Sequence, residues 1–269
     1  MQVSPKVLVT LKTNLHSHTQ FCDARCTMEQ MLRAAIDAGF STWGFTPHAP
    51  VNIESPCNMK KENVGDYLNE ILRLRSHYPK IKILAGMEVD FIDEMNGPAS
   101  PEIVDYHLDY VIGSVHFIPN QKGEYHDIDG SPENFRKTLD KYFDGDIYFV
   151  VKKYWEQVQK MISSGGFDIL GHIDKIALNA SSVIPEIELK PFYETLAIET
   201  IKMAITSGKA IEINTKHWEK YSRFFPHQRY WPLILNAGIK MPVNSDTHYA
   251  EKVDSGIQAA INEILKLYN

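Results

Sequence analysis

Short apolar runs rich in β-forming residues alternate along the chain with longer stretches of helical pattern. This alternation predicts βα units and a parallel sheet, and hence an α/β protein. Seven strands are close to the number needed for a closed barrel, and residues 1–269 are predicted to form one domain. The predicted strands are Val7–Thr13, Thr42–Thr46, Ile81–Val89, Tyr110–Val115, Asp168–Leu170, Ala210–Asn214 and Lys240–Asn244.

The stretches between these strands carry helix signals. Thr27 and Gln30 form a possible capping box, and Ser131 reads as the N-cap of a long helical region that is predicted to break near Gly145. The irregular stretch Ile118–Gly130 is a candidate loop or lid over a site. Further helices are predicted at about Val64–His77, Pro191–Ser207, Gln228–Ala237 and Ser255–Leu267.

Residues that can bind a metal ion follow nearly every predicted strand. Barrel enzymes place their chemistry at the carboxyl ends of the strands, so these side chains would meet in one cup. Each residue alone is weak evidence, because a single histidine is more often structural, but burying the whole set without metal would be costly. The candidate ligands are His16, His18, Asp23, His48, Glu88, His116, His172, Asp246 and His248.

A ligand set of imidazoles and carboxylates suits zinc, manganese or iron. Catalytic zinc typically takes three protein ligands and a water, so nine candidates exceed the need of a single ion. The sequence therefore predicts two or three divalent ions.

Charge and hydropathy exclude other classes of protein. The chain has 28 Lys and Arg against 34 Asp and Glu, with no basic stripe, so nucleic-acid binding is disfavoured. No apolar run approaches the length of a membrane span. A soluble, cytoplasmic protein that acts on a small substrate is the simplest interpretation, and the oligomeric state stays open.

The same residues carry a resemblance to the PHP (polymerase and histidinol phosphatase) family. Within that family, Gly113–Phe117, Phe167–Leu170 and Glu212–Thr215 look most like the histidinol-phosphate phosphatases. The bulky Lys216-His217-Trp218 departs from the small residues that the family tends to have there, which puts the substrate pocket in doubt but not the metals. The matching segments are Leu15–Thr19, Phe45–His48, Gly86–Asp90, Gly113–His116, Leu170–Asp174 and Asn244–His248.

The resemblance implies a distorted seven-stranded (β/α) barrel with a trinuclear metal centre. Glu88 would bridge two of the ions. By motif, the first ion would be held by His16, His18, Glu88 and Asp246, the second by Glu88, His116 and His172, and the third by Asp23, His48 and His248.

The expected reaction is hydrolysis of a phosphate monoester, with L-histidinol phosphate as the expected substrate. A water bridging two ions becomes acidic enough to attack the phosphoryl group, and Asp246 or His248 could supply or relay a proton to the leaving oxygen. The predicted catalytic residues are thus Glu88, Asp246 and His248.

A basic side chain would complete the charge balance at the phosphate. Arg223, in the loop after the sixth predicted strand, is the first choice, followed by Lys216. Lys220 and Arg25 are further candidates. Contacts from the loop residues His126, Asp127 and Asp129 to the ammonium or imidazole of histidinol are a weaker possibility.

Three other functions stay open at this point. The same metals could act on another small phosphomonoester or on a nucleic-acid end. A non-catalytic, metal-binding regulatory protein is a second alternative, although none of the nine ligand positions is lost. A metal-dependent amidohydrolase is a third, but the lysine that often bridges the metals of such enzymes is not evident.

Overall fold

Parallel strands form the centre of the fold. The computed structural model describes residues 12–53 and 55–267 of the chain. Six strands pair in parallel in the order in which they occur along the chain: β1 (Thr13–Asn14), β2 (Thr42–Phe45), β3 (Lys82–Asp90), β4 (Tyr110–Ser114), β7 (Ile169–Leu170) and β8 (Ala210–Ile211). A hairpin of β5 (Phe117–Pro119) and β6 (Tyr125–Asp127) follows β4, and β9 (Ile213–Asn214) pairs in parallel with β10 (Val243–Asn244).

Helices connect the strands, as expected for βα units. The predicted capping box is present, because Thr27 accepts from the backbone of Gln30 and the Gln30 side chain accepts from the backbone of Thr27. The predicted break near Gly145 is also present, with φ +72° at that residue. The helices are α1 (Met28–Asp37), α2 (Val64–His77), α3 (Pro101–Asp105), α4 (Pro132–Tyr142), α5 (Ile147–Ser164), α6 (Ile176–Val183), α7 (Pro191–Ser207), α8 (Trp218–Tyr221), α9 (Trp231–Asn236) and α10 (Ile257–Lys266).

A closed seven-stranded barrel is not confirmed. The predicted strand Ala210–Asn214 is divided at Glu212 into β8 and β9, and the predicted strand Lys240–Asn244 shortens to β10. Pro242 lacks an N–H group and joins the ladder only as an acceptor from Ile213. The other end of the sheet meets this pair at an isolated parallel bridge between Ser17 and Thr247. Of the predicted strand Val7–Thr13, residues 7–11 lie outside the described residues.

Tyr110 fills the concave side of the curled sheet. It belongs to a small apolar cluster with Ile112 and Ile169, and its hydroxyl donates to the carbonyl oxygen of Leu15 at 2.7 Å. A Cβ atom on Gly86 would lie 2.7 Å from the tyrosine ring, so glycine is required for this close approach. The ring therefore packs against several strands close to their carboxyl ends.

The structure corrects several smaller predictions. The stretch Ile118–Gly130 is not irregular, since it contains the hairpin β5–β6, and Tyr125 donates from that hairpin to the carbonyl oxygen of Ile92. The predicted helix Gln228–Ala237 starts with a 3₁₀ turn before α9. The short helices α6 and α8 were not predicted, because α8 is a single turn and α6 shows little periodicity. No helix in the described part of the chain is both long and apolar enough to cross a membrane.

Candidate metal centre

The nine predicted ligands converge at the carboxyl ends of the parallel strands. β3 ends two residues after Glu88, and the histidines follow β1, β2, β4, β7 and β10 within a few residues. Except for Asp23, which is 24% exposed, every one of these side chains is at most 12% exposed. Residues spread over more than two hundred positions thus form one buried cluster, as the strand pattern predicts.

Glu88 lies in the middle of this cluster. Its Oε1 atom is 2.8 Å from Nε2 of His172 and 3.6 Å from Nε2 of His116. Its Oε2 atom is 3.2 Å from Nδ1 of His48 and 3.3 Å from Nε2 of His16. The two oxygens therefore face different imidazoles, which is the arrangement that a carboxylate bridging two ions requires.

A second group of ligand atoms surrounds His18. Its Nε2 atom is 2.9 Å from Oδ1 of Asp246, and its Nδ1 atom is 3.6 Å from Oδ1 of Asp23. Nε2 of His248 lies 3.2 Å from the other oxygen of Asp23. One ligand atom from each of His18, Asp23, His48 and His248 lies within 4.8 Å of the others. The structure thus brings together the three residues expected to hold a third ion, with His18 beside them.

Several buried atoms in the cluster lack a hydrogen bond within the described chain. They include Nε2 of His16, Nδ1 of His48 and Oδ1 of Asp23. A buried polar atom left without a partner costs about 1–3 kcal/mol, so an orphaned set is expected only where a ligand satisfies it. The donor types are those that zinc, manganese and iron accept. These residues therefore fit a cluster of divalent ions.

Buried polar residues orient the candidate ligands from behind. Glu212 accepts from Nδ1 of His16 at 2.8 Å, and Asp90 lies 2.8 Å from Nδ1 of His116. Asn214 donates to Oδ2 of Asp246 at 3.0 Å. Such contacts fix the tautomer and the direction of a metal-binding imidazole. These residues lie in segments that resemble the family, Gly86–Asp90 and Glu212–Thr215, but no orienting role was predicted for them.

Burial and the nearby carboxylates shift the pKa values of His48 and His116 in opposite directions. Burial alone lowers the pKa of His116, but the carboxylates of Asp90 and Glu88 outweigh it and raise that pKa to about 9. Burial prevails at His48 and lowers its pKa to about 4. The carboxylates therefore stabilise positive charge on one side of the cluster, and His48 stays neutral and able to bind a metal at ordinary pH.

Only one of the two predicted phosphate contacts lies in the site. Nζ of Lys216 is 3.2 Å from Oδ1 of Asp246 and 3.5 Å from Nε2 of His248. Arg223, the first choice, lies elsewhere: its guanidinium is 10% exposed and is bound by Asp174 at 2.9 Å and by Glu188 at 2.6 Å. Arg223 does lie in the loop after the sixth predicted strand, but Asp174 and Glu188 hold its side chain away from the metal centre. Arg223 is therefore not retained as a phosphate contact.

Lys175 is a basic residue of the site that sequence analysis missed. Its side chain is 8% exposed, and its Nζ atom lies 3.5 Å from Nε2 of His116 and 2.8 Å from Oδ2 of Asp129. Burial alone lowers the pKa of Lys175, but Asp129 and other nearby carboxylates outweigh it and raise that pKa. Its place three residues after His172, at a strand end, was the available signal.

A cavity of about 510 Å³ opens over the cluster. Its wall includes Asp127 at the end of β6, Asp129 in the loop that follows, and the predicted basic candidates Lys220 and Arg25. His126, by contrast, stacks on the ring of Tyr142 with a centroid distance of 3.8 Å. The cavity is large enough for a small phosphorylated molecule.

Comparison with known proteins identifies the family. The model of the PHP domain matches residues 14–216, and the chain belongs to this family. A Schizosaccharomyces pombe protein named "Probable histidinol-phosphatase" is 29% identical over 258 residues, which cover 88% of this chain and 81% of that protein. The resemblance stated from the motifs is confirmed.

Solved structures share the fold. A crystal structure from Listeria monocytogenes superposes with a TM-score of 0.78 at 20% identity, over 92% of this chain and 99% of that one. Histidinol phosphate phosphatase from Lactococcus lactis, complexed with zinc, L-histidinol and phosphate, has a TM-score of 0.66 at 20% identity, over 95% of this chain and 92% of that one. At these identities the likeness establishes the architecture.

Proposed function

We propose that this chain is a metal-dependent phosphomonoesterase that hydrolyses L-histidinol phosphate to L-histidinol and phosphate. The observation that carries the proposal is the convergence of six imidazoles and three carboxylates, with Glu88 at the centre and a cavity above. The substrate is taken from the name of the S. pombe relative and from the contents of the L. lactis structure. The donor set supports metal-dependent hydrolysis, and the phosphoester class, like the substrate, is taken from these relatives.

The proposed ion-binding residues are those predicted from sequence. Glu88 Oε1, with His116 and His172, would hold one ion, while Glu88 Oε2, with His16, His18 and Asp246, would hold another. Asp23, His48 and His248 would hold a third. Bound divalent ions would acidify a water and offset the charge on the phosphoryl oxygens.

The chain's own residues would position the phosphate and the leaving group. Both carboxylate oxygens of Asp246 are occupied, since Oδ1 meets His18 and Lys216 and Oδ2 accepts from Asn214. Asp246 therefore serves to hold its neighbours rather than to donate a proton. His248 lines the cavity, and its Nε2 atom is 3.5 Å from Nζ of Lys216. An imidazole that holds an ion through Nε2 has no proton there to give, so we assign proton delivery to the leaving oxygen to His248 for the centre with two ions, in which the third position is empty.

Finer features of the proposal remain predictions. We expect two or three ions, of zinc, manganese or iron, and a single domain over residues 1–269 with the sheet closed into a seven-stranded barrel. The cytoplasmic location expected from sequence also stays a prediction.

The test is phosphate release by the metal-reconstituted full chain. L-histidinol phosphate would be compared with other phosphomonoesters and with a short single-stranded oligonucleotide, and kcat/KM measured for each. The proposal predicts a strong preference for L-histidinol phosphate that His116→Ala abolishes. Equal activity on all monoesters, or preference for the oligonucleotide, would refute the assigned substrate while keeping the phosphoesterase class.

A further inference from the structure

Lys175 is held in the metal centre by its backbone. It precedes α6 directly, and its N–H group donates to the carbonyl oxygen of His172 at 2.9 Å, which turns the chain back over the end of β7. Lys175 is therefore fixed to the same short segment as a predicted metal ligand. The side chain runs inward, where its ammonium reaches Asp129 and His116.

The hydrogen bonds of this ammonium are incomplete. A lysine ammonium has three donors, and in the described residues its polar contacts are Oδ2 of Asp129 at 2.8 Å and Nε2 of His116 at 3.5 Å. Nδ1 of His116 already faces Asp90, so Nε2 is the atom that the ring offers to an ion. If an ion takes Nε2, Lys175 keeps Asp129 and has two donors without a partner among the described residues.

An anionic oxygen is the partner that this environment favours. The Lys175 ammonium would be repelled by nearby metal ions unless negative charge lies between them. Among the described residues, the carboxylate of Asp129 is the one that forms an ion pair with Lys175. Lys216 lies against Asp246 and His248 in the same ligand cluster. Two lysines thus accompany the predicted ions, Lys175 beside His116 and Lys216 beside His248.

We propose that Lys175 is a phosphate-binding residue, which contacts the phosphoryl group of the substrate beside the ion at His116, and that Asp129 holds its ammonium in place. The inference rests on the proposed phosphoesterase function. It assigns to Lys175 the role that the sequence suggested for Arg223, whose guanidinium is bound by Asp174 and Glu188.

The test is binding of inorganic phosphate to the metal-loaded full chain, measured by isothermal titration calorimetry. Lys175→Met removes the charge at similar size and should weaken phosphate binding about 10- to 100-fold, the range for a lost hydrogen bond to a charged group. Lys175→Arg keeps the charge and should retain most of the affinity. Asp129→Asn keeps the ammonium but removes the carboxylate that positions it, so it should weaken phosphate binding less than Lys175→Met does. Lys137→Met, on the exposed face of α4, is the matched control.

The different magnitudes expected at positions 175 and 129 separate phosphate contact from a structural role. If Lys175 only anchors the loop after β6, Lys175→Met and Asp129→Asn weaken phosphate binding equally, and the inference is overturned. Unchanged affinity in Lys175→Met, or loss of metal measured by mass spectrometry, also overturns it. If Lys175→Met does not fold, Lys175→Gln takes its place, with the same expected loss of phosphate affinity and the same overturning results.

Failure of the proposed function gives a different result. Because phosphate binding is measured without substrate, it can be read even if L-histidinol phosphate is not hydrolysed.

Discussion

Two buried charged clusters in the described part of the chain, one around Arg223 and one around Glu88, differ in how completely their hydrogen bonds are satisfied. In one, Arg223 binds Asp174 and both oxygens of Glu188, and its Nε atom donates to the carbonyl oxygen of Phe224. In the other, the metal centre, imidazole nitrogens face carboxylates without completing their hydrogen bonds. In the first cluster every nitrogen of Arg223 has a partner and Oδ1 of Asp174 lacks one among the described residues, whereas in the second several imidazole and carboxylate atoms lack one.

This difference separates a structural charge from a functional one. A buried arginine paired with two acids is typical of a contact that holds segments of the chain together. Here it joins the start of α6, the 3₁₀ turn at Ile187–Leu189 and the segment before α9. A concentration of imidazoles around a central carboxylate is typical of a metal site. Burial alone does not distinguish the clusters, since both are nearly closed to solvent.

The largest effect is expected from Glu88→Gln. Removal of the central carboxylate charge should lower kcat/KM by on the order of 10³-fold, because the ions that it bridges would supply several kcal/mol to the reaction. Kinetics and metal content by mass spectrometry would be measured together, with Glu102→Gln on the surface as control. Full metal content and full activity in Glu88→Gln would contradict the central role of this residue.

Arg223→Met should affect stability and leave the chemistry intact. Breaking a buried pair costs about 3–5 kcal/mol when the partner charges stay behind, so the urea midpoint should fall markedly. At temperatures where the variant is folded, metal content should equal that of the wild type and kcat/KM should change little. A large loss of phosphate affinity in this variant would show that the two clusters are not separate in function.

Glu212→Gln is expected to have an effect on the metal centre between those of Glu88→Gln and Arg223→Met, because Glu212 orients candidate ligands from behind. Glu212 accepts from His16 and Asn244 through Oε1 and from Asn214 and the backbone of His172 through Oε2. An amide cannot accept all of these bonds, so metal affinity or activity should fall about 10- to 100-fold. Metal titration with a competing chelator gives the affinity. A merely structural role would lower thermal stability and leave metal affinity unchanged.

The sequence predicted the convergence of the ligand-type residues better than the positions of the basic side chains, for a physical reason. Ligand-type residues at strand ends must converge when the strands are parallel, so His16, Glu88 and Asp246 could be placed without coordinates. The direction of a long side chain in a loop depends on which acids lie nearby in space. Arg223 meets Asp174 and Glu188, and Lys175 turns inward to Asp129, and neither pairing has a local sequence signal.

The pairing of the last strands of the sheet could also not be predicted from the sequence. The predicted strand Ala210–Asn214 pairs with β7 up to Glu212, whose N–H donates to Leu170, and with the segment before β10 through Ile211 and Ile213, whose N–H groups donate to Lys240 and Pro242. Pro242 has no N–H group to add to this ladder. The long, regular elements with local signals, such as α1 with its capping box, agree closely with the prediction.

The most direct test of the account is the metal content of the purified full chain, measured together with activity on L-histidinol phosphate before and after chelation. The account predicts two or three divalent ions per chain, because the ligand set exceeds the need of one ion, with loss of activity on chelation and recovery on adding zinc or manganese. Less than one ion per chain, together with activity that survives chelation, would contradict it.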